Sequence, residues 1–160
     1  MILRAAVAGD AAALAEITVA AEATYGDWSV QGWMRRRAGF DEMHWGDLLA
    51  QEHRWTWVAV VDERVAGLVS VRPGDEPDAG HVGYLFVDPG YWGRGVGRAL
   101  LGAAVDEIRA RGLARATLRV PVRNERARDL YERNGFVDTG GRRVNKWLGF
   151  EMAEYERVLA

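Results

Sequence analysis

Residues 85–102 combine closely spaced glycines with the start of an amphipathic segment, a pattern typical of an anion-binding loop. Gly93, Gly95 and Gly97 lack the side chains that would keep backbone N–H groups from closing on an anion. The helix expected behind them adds unpaired N–H donors and the positive end of its dipole. We therefore predict that this turn binds a molecule that carries a diphosphate.

Two better-known glycine-loop templates are inconsistent with these residues. A nucleoside-triphosphate loop needs Lys and then Ser or Thr after its last glycine, but Arg98 and Ala99 follow Gly97. A dinucleotide fingerprint needs glycine at position 98 or a small residue at position 100, and Arg98 and Leu100 occupy those positions. The loop offers no magnesium ligand and favours a different diphosphate.

Two ordered motifs narrow the ligand further. In the first, Gly95 and Gly97 fill the last two fixed positions of a pattern that opens with Gln or Arg, and Trp92 stands at that opening position. The second, at residues 124–136, has Asn, Ala, Tyr and Gly-Phe in order. Together they resemble the pyrophosphate motif and a later motif of the GNAT superfamily of acyl-CoA N-acyltransferases. The resemblance extends over most of the chain.

The resemblance implies an N-acetyltransferase that moves an acetyl group from acetyl-CoA to a primary amine by direct attack in a ternary complex. It also implies an α/β fold with a mixed, mostly antiparallel sheet of about six to seven strands, splayed central strands and helices on both faces. An alternative function is a catalytically weak or inactive acyl-CoA-binding sensor or interaction module, suggested by Trp92 and by the absence of a carboxylate on the strand before the glycine loop. Members of the family are frequently dimeric, so a homodimer is a further expectation.

The resemblance also assigns the cofactor-binding residues. The backbone of residues 85–87 is expected to pair with the pantetheine arm, and the N–H of Phe86 or Val87 to polarise the thioester oxygen. Asn124 either contacts the cofactor or serves only as a helix cap, and Arg128 and Arg133 are weaker candidates for contact with the adenosine 3'-phosphate. The full predicted set is Leu85, Phe86, Val87, Trp92, Gly93, Arg94, Gly95, Val96, Gly97, Arg98, Asn124, Ala127 and Tyr131.

Tyr131 matches the position whose hydroxyl, by the same resemblance, protonates the departing CoA thiolate. A tyrosine pKa of about 10 lies above the roughly 8.5 of a thiol, so the hydroxyl stays protonated near neutral pH and is able to donate its proton. The alternative is that Tyr131 only packs, because Ala127, Leu130 and Tyr131 share one helical face.

The general base is less evident from the sequence. Many relatives place a Glu on the strand before the glycine loop, where this chain has Gly83 and Tyr84. His81, on the same predicted strand, is our candidate catalytic base or proton relay. His44, Glu42 and Glu22 are weaker candidates.

Aromatic residues are expected to frame the acceptor amine, since aromatic faces attract ammonium groups. The predicted substrate-binding residues are Tyr25, Trp28, Trp33 and Tyr84, with Trp45 as a further aromatic side chain in the same region. Core packing is the alternative role for several of them. The sequence does not choose between a small amine, an antibiotic, an amino acid and a protein N-terminus as the acceptor.

These residues must be positioned by alternating strands and helices. The patterns predict an opening strand, a helix with Asp10 as its N-cap, short helices within residues 29–53, a hairpin turning at Asp62-Glu63, and a strand that leads into the glycine loop. A helix that stops at Gly112, a short strand, a helix capped by Asn124 and two closing strands complete the expected order.

Composition sets the outer limits. The 160 residues suit a single domain spanning 1–160, and a net charge of -2 without a long basic run argues against a nucleic-acid partner. There is no cysteine, and no metal site is expected. We also expect no membrane segment and no secretion signal, with the cytoplasm as the default location.

Overall fold

The strands and helices of the computed structural model follow the predicted alternation. The structure describes residues 1–25, 37–144 and 149–159, and Trp28, Trp33 and the side chain of Glu42 lie outside the described residues. The elements are β1 (Ile2–Ala5), α1 (Ala11–Ala23), α2 (Arg37–Leu49), β2 (Trp55–Val61), β3 (Arg64–Pro73), β4 (Ala79–Val87), α3 (Val96–Ala110), β5 (Arg115–Pro121), α4 (Glu125–Arg133), β6 (Val137–Val144) and β7 (Glu151–Val158). Among the helices so described, none has the length and apolarity needed to cross a membrane.

One seven-stranded sheet joins these strands in the order β1-β2-β3-β4-β5-β7-β6. All neighbours are antiparallel except β4 and β5, which pair in parallel only from Ala79 to Val82 on β4 and from Arg115 to Leu118 on β5. Beyond these residues β4 continues beside β3 alone, and β5 continues beside β7 alone. We call the point where the two strands separate the fork. The predicted mixed sheet with splayed central strands is confirmed.

Helices cover both faces of the sheet, because successive strand residues point to opposite sides. On one face, Leu14 of α1 and Trp45 of α2 pack against Leu68 of β3. On the other, α3 and α4 pack over a larger core that includes Leu100 and Tyr131. The two cores therefore pack against opposite faces of the sheet and position the strands of the fork between them.

Two turn predictions depend on local backbone chemistry. The hairpin turns at Asp62 and Glu63, whose φ angles of 50° and 64° are those of a tight hairpin turn. The helix cap at Asn124 is also confirmed, since its side chain accepts a hydrogen bond from the N–H of Ala127 at 3.2 Å. The sequence therefore specified these two connections locally.

Asp10 stands at the predicted N-cap position of α1, but its side chain does not cap the helix. Its carboxylate accepts two hydrogen bonds from Arg4, at 2.8 and 2.9 Å, and one from the N–H of Val7 at 2.8 Å. The ion pair with Arg4 holds the pKa of Asp10 below its usual range, so this carboxylate ties β1 to the start of α1.

Candidate active site

The edge of β4 beyond the fork carries backbone groups that pair with none of the other described strands. The N–H of Asp88 donates to the carbonyl of Ala66 on the β3 side. Since strand residues alternate in direction, the N–H of Phe86 also faces β3, whereas the N–H groups of Leu85 and Val87 face the cleft. Of the two N–H groups predicted to polarise a thioester oxygen, that of Val87 has the suitable direction.

The glycine loop ends in a helix start with free donors. Gly93 and Gly95 have φ angles of 75° and 80°, which a side chain would strain. Gly95 is the N-cap of α3, and no side chain caps this end. In the described part of the chain, the N–H groups of Val96, Gly97 and Arg98 have no backbone acceptor. They fit an anion at the helix N-terminus, as the sequence predicts.

A cavity of about 440 Å³ joins the β4 edge, the glycine loop and the start of α4. Ala21, Thr24 and Tyr25 of the α1 end also border it. Every predicted cofactor-binding residue except Arg94 borders this cavity: Leu85, Phe86, Val87, Trp92, Gly93, Gly95, Val96, Gly97, Arg98, Asn124, Ala127 and Tyr131. The structure thus brings together two motifs that lie almost thirty residues apart in sequence.

Arg94 points away from this cavity. Its guanidinium pairs with Asp62 at 3.3 Å and lies 5.2 Å from the centroid of the Tyr91 ring. Arg126, which the sequence analysis did not select, lines the cavity instead and lies 3.9 Å from the Trp92 ring. Its position in the first turn of α4, beside the cap residue Asn124, was the signal that could have identified it.

Trp92 occupies the motif position where Gln or Arg is expected. Its indole N–H donates to the carbonyl of Val87 at 3.1 Å, which closes the β4 edge at the loop end of the cavity. Arg126 stacks on the same indole. With Trp92 at this motif position, the cation at the cavity wall is Arg126 of α4, and the indole ring positions it.

Tyr131 lies at the inner wall of the cavity. The residue is 7% exposed, and its ring makes edge contacts with Phe136 and packs against Tyr155, with centroid distances of 6.1 and 6.2 Å. Within the described ranges its hydroxyl has no hydrogen-bond partner. Burial raises the pKa of Tyr131 well above its ordinary value. The ring packs as the alternative interpretation expects, and the residue also borders the cavity.

The weaker arginine candidates are both engaged with protein groups. Arg128 donates to the Tyr155 hydroxyl at 2.9 Å and to the Val122 carbonyl at 3.0 Å. Arg133 borders the cavity and pairs with Asp129 at 3.0 Å. Arg98 borders the cavity without an ion pair in the described part of the chain, so Arg98 and Arg126 are the better-placed cations.

His81 does not border the cavity that contains Tyr131. It is 7% exposed, and its Nδ1 lies 2.8 Å from the Thr117 hydroxyl on β5, within the paired part of the fork. Burial, followed by the nearby Arg72 and Arg119, lowers the pKa of His81 to about 3. Such an imidazole is neutral at physiological pH and holds a proton only weakly, so its role as base stays a prediction.

This burial predicts a specific acid sensitivity. Between pH 6.5 and about pH 3 the unfolded chain protonates His81 and the folded chain does not, so stability present above pH 6.5 is lost as the pH falls. We expect His81 to account for about 2 kcal/mol of the loss between pH 7 and pH 5. Urea unfolding of wild type and of His81→Asn at pH 7 and pH 5 measures this loss in the free energy of unfolding. An equal loss in both proteins would contradict the prediction.

The predicted acceptor residues fall at two places. Tyr25 borders the cavity and makes an edge contact with Phe150 at a centroid distance of 5.9 Å. Tyr84 lies on the α1/α2 face of β4, where its hydroxyl is 3.4 Å from His44 Nε2. Trp45 is 1% exposed and donates to Thr18, so it belongs to the core. Glu22 is likewise buried, on α1.

A larger depression lies elsewhere on the molecule. It has a volume of about 740 Å³ and is bordered by residues at the far end of α3, including Trp55 and Arg111. The Arg111 guanidinium lies 3.5 Å from the Trp55 ring centroid. Of the predicted site residues that the structure describes, none borders it. The donors and the buried hydroxyl, rather than the volume, therefore identify the smaller cavity as the candidate site.

Solved structures share this architecture. A PaiA N-acetyltransferase from Thermoplasma acidophilum, solved in complex with coenzyme A, superposes with a TM-score of 0.80 over 99% of this chain and 98% of that chain, at 17% sequence identity. A nourseothricin acetyltransferase matches with a TM-score of 0.62 over 68% of this chain and 67% of that one, at 29% identity. The first likeness concerns the fold alone.

Sequence comparison agrees with the structural match. A mycothiol acetyltransferase from Beutenbergia cavernae is 55% identical over 63 residues, which are 38% of this chain and 21% of that protein. One from Rhodococcus erythropolis is 43% identical over 68 residues, 42% of this chain and 23% of that protein. The matched segments thus span between a fifth and a quarter of these relatives. The model of the Acetyltransferase (GNAT) family matches residues 18–136, and the chain belongs to this family.

Proposed function

We propose that this protein is an acetyl-CoA-dependent N-acetyltransferase that acetylates a primary amine. The observation that carries the proposal is the buried Tyr131, whose hydroxyl lacks a protein partner in the described structure and which borders the same cavity as the free donors of α3. A molecule with a diphosphate at one end and a thioester at the other would engage both. Membership of the GNAT family supports acetyl-CoA as that molecule.

The phosphate end of the cavity is suited to bind and orient such a donor. The N–H groups of Val96, Gly97 and Arg98 would hold the diphosphate at the positive end of α3. Gly97 also permits close packing, because a Cβ at this position would lie 3.2 Å from Leu130 of α4. The side chains of Arg98 and Arg126 would add charge-assisted hydrogen bonds to phosphate oxygens.

The reacting end needs an oxyanion donor and an acid. Acetyl-CoA supplies an activated acetyl thioester when bound. The N–H of Val87 would donate to the thioester oxygen as negative charge develops there, an effect that contributes about 3 to 4 kcal/mol in comparable sites. The Tyr131 hydroxyl would give its proton to the departing sulfur, and its raised pKa keeps that proton in place at neutral and mildly alkaline pH.

The acceptor is proposed only as a primary amine. The relatives named mycothiol acetyltransferase match between a fifth and a quarter of their own length, so their names do not assign an acceptor to this chain. The acceptor would approach from the α1/α2 face, where Tyr84 lies. His81 remains the proposed relay, as a neutral imidazole on the same strand.

Calorimetry with acetyl-CoA, followed by a CoA-release assay over a broad amine panel, tests the proposal. We expect saturable binding of one acetyl-CoA per chain, and amine-dependent CoA release with an N-acetylated product. Binding without release for any amine would favour the alternative of an acyl-CoA sensor. Absence of acetyl-CoA binding would overturn both functions.

A further inference from the structure

The guanidinium of Arg54 lies against the fork on the α1/α2 face of the sheet. Its Nη1 donates to the Ser70 hydroxyl at 3.2 Å, and its Nε donates to Gln51 at 3.2 Å. The centre of the guanidinium is 5.7 Å from the centroid of the Tyr84 ring. Its two strand contacts, Ser70 and Tyr84, are directly opposed residues on β3 and β4. The pairing of these two strands therefore determines where the guanidinium lies.

Arg54 carries a charge that no carboxylate neutralises among the residues that the structure describes. A guanidinium has five N–H donors, and Ser70 and Gln51 accept from two of them, which leaves three. Burial lowers the pKa of Arg54, yet a guanidinium stays charged at physiological pH. A partly buried cation without a counter-charge is unfavourable, and an anionic ligand would relieve this cost.

The Arg54 guanidinium lies next to Gly83, the β4 residue at which the fork begins. Gly83 follows Val82, the last β4 residue that pairs with β5. A Cβ at Gly83 would lie 3.4 Å from Arg54 Nη1, so a larger side chain there would crowd the guanidinium. Leu85, two residues along the same strand, already borders the cavity that contains Tyr131. The guanidinium and the cavity therefore both lie against β4, two residues apart along the strand, and Ala21 and Tyr25 at the end of α1 also border the cavity.

The surroundings are positive as well. Arg72, close enough to Arg54 to lower its pKa, donates to the Pro73 carbonyl and forms no ion pair in the described part of the chain. Arg119, by contrast, pairs with Asp75 at 3.0 Å and with Glu154 at 3.3 Å. Arg54 and Arg72 are thus both without a carboxylate partner among the described residues, and Arg54 is the one whose guanidinium lies beside Tyr84. A planar guanidinium pairs with a carboxylate through two parallel hydrogen bonds.

We propose that Arg54 binds a carboxylate of the acceptor, so that the acceptor is an amine that also carries a carboxylate, as amino acids do. This inference rests on the proposed N-acetyltransferase function. The carboxylate would be held on the α1/α2 face while the amine reaches the fork toward the Val87 N–H and Tyr131. Amines that lack the anion would then lose orientation as well as affinity.

Matched acceptor pairs test the proposal. Each standard amino acid is compared with its carboxamide in the CoA-release assay, using wild type, Arg54→Gln, Arg54→Lys and the exposed hairpin control Arg64→Gln. We expect at least one amino acid to exceed its carboxamide by about tenfold in kcat/KM. Arg54→Gln should abolish this preference by raising the KM for the amino acid, with the KM for acetyl-CoA unchanged. Arg54→Lys should keep part of it, and Arg64→Gln all of it.

A binding assay separates this proposal from the proposed function. Thermal stabilisation by N-acetylated amino acids and by their carboxamides is measured with and without CoA, and needs no turnover. Carboxylate-dependent stabilisation that Arg54→Gln removes would support the Arg54 site even if no CoA is released. The proposal is overturned if no carboxylate compound is preferred over its carboxamide in either assay, or if Arg54→Gln weakens both members of a pair equally.

Discussion

Replacing Tyr131 with phenylalanine is expected to lower turnover by about 100-fold or more, the typical contribution of a positioned general acid. The change removes only the hydroxyl, which has no partner in the described structure, from a buried residue that borders the cavity. Binding of acetyl-CoA should be almost unaffected, because the phosphate contacts lie at the other end of the cavity. Steady-state kinetics and calorimetry on the same preparations measure the two quantities.

Stability distinguishes this role from packing. A buried hydroxyl without a hydrogen bond is unfavourable, so Tyr131→Phe should leave the melting temperature unchanged or raise it. The matched control is Tyr155→Phe, whose hydroxyl donates to Glu132 and accepts from Arg128. That variant should lose stability and keep its turnover. Full turnover in Tyr131→Phe would exclude the acid role.

The raised pKa of Tyr131 adds a test by pH. Because burial raises this pKa above its ordinary value of about 10, the hydroxyl keeps its proton as the pH rises, and the acid is not lost near pH 9. Between pH 8 and pH 9.5, loss of the Tyr131 proton should therefore not lower kcat in wild type. The pH dependence of kcat over this range should have the same shape in wild type and in Tyr131→Phe. A pH series of kcat with both proteins measures this directly.

The residues that border the proposed cofactor end of the cavity could be predicted because their arrangement depends on residues close in sequence. The glycine positions and the cap at Asn124 depend on neighbouring residues, and each motif forms one strand-turn-helix or turn-helix segment. Arg94 was selected by the same local reasoning, but its guanidinium pairs with Asp62, which is 32 residues away on the hairpin turn. Side-chain direction at a positive-φ turn is decided by such distant partners.

The acceptor side depends on contacts between strands that the sequence does not display. His81 was selected for its imidazole, but its burial follows from parallel pairing with β5 and its bond to Thr117. Arg54 belongs to no motif, and its proposed role depends on contacts with Ser70 and Tyr84 that only the folded chain forms. Long-range register, rather than residue type, determines which polar groups meet at the fork.

Acetyl-CoA binding should weaken by about 100-fold or more in Gly95→Trp, which corresponds to about 2.7 kcal/mol of binding free energy. Gly95 has a φ of 80°, and apart from its chain neighbours no atom of the described residues lies within 4 Å of a Cβ built there. The indole would project into the open cavity in front of the α3 N-terminus, where the diphosphate is proposed to bind. Calorimetric titration of both proteins with acetyl-CoA measures the loss.

The matched control lies just beyond the other end of the same helix. Gly112 has a φ of 73° and equally open surroundings, so Gly112→Trp pays a comparable backbone cost of about 1 to 2 kcal/mol without approaching the cavity. Both variants should melt at similar temperatures, and only Gly95→Trp should lose the ligand. If Gly95→Trp bound acetyl-CoA as tightly as wild type, the free N–H groups of α3 would not be the diphosphate site. Equal losses in both variants would instead indicate that helix strain, rather than obstruction of the cavity, weakens binding.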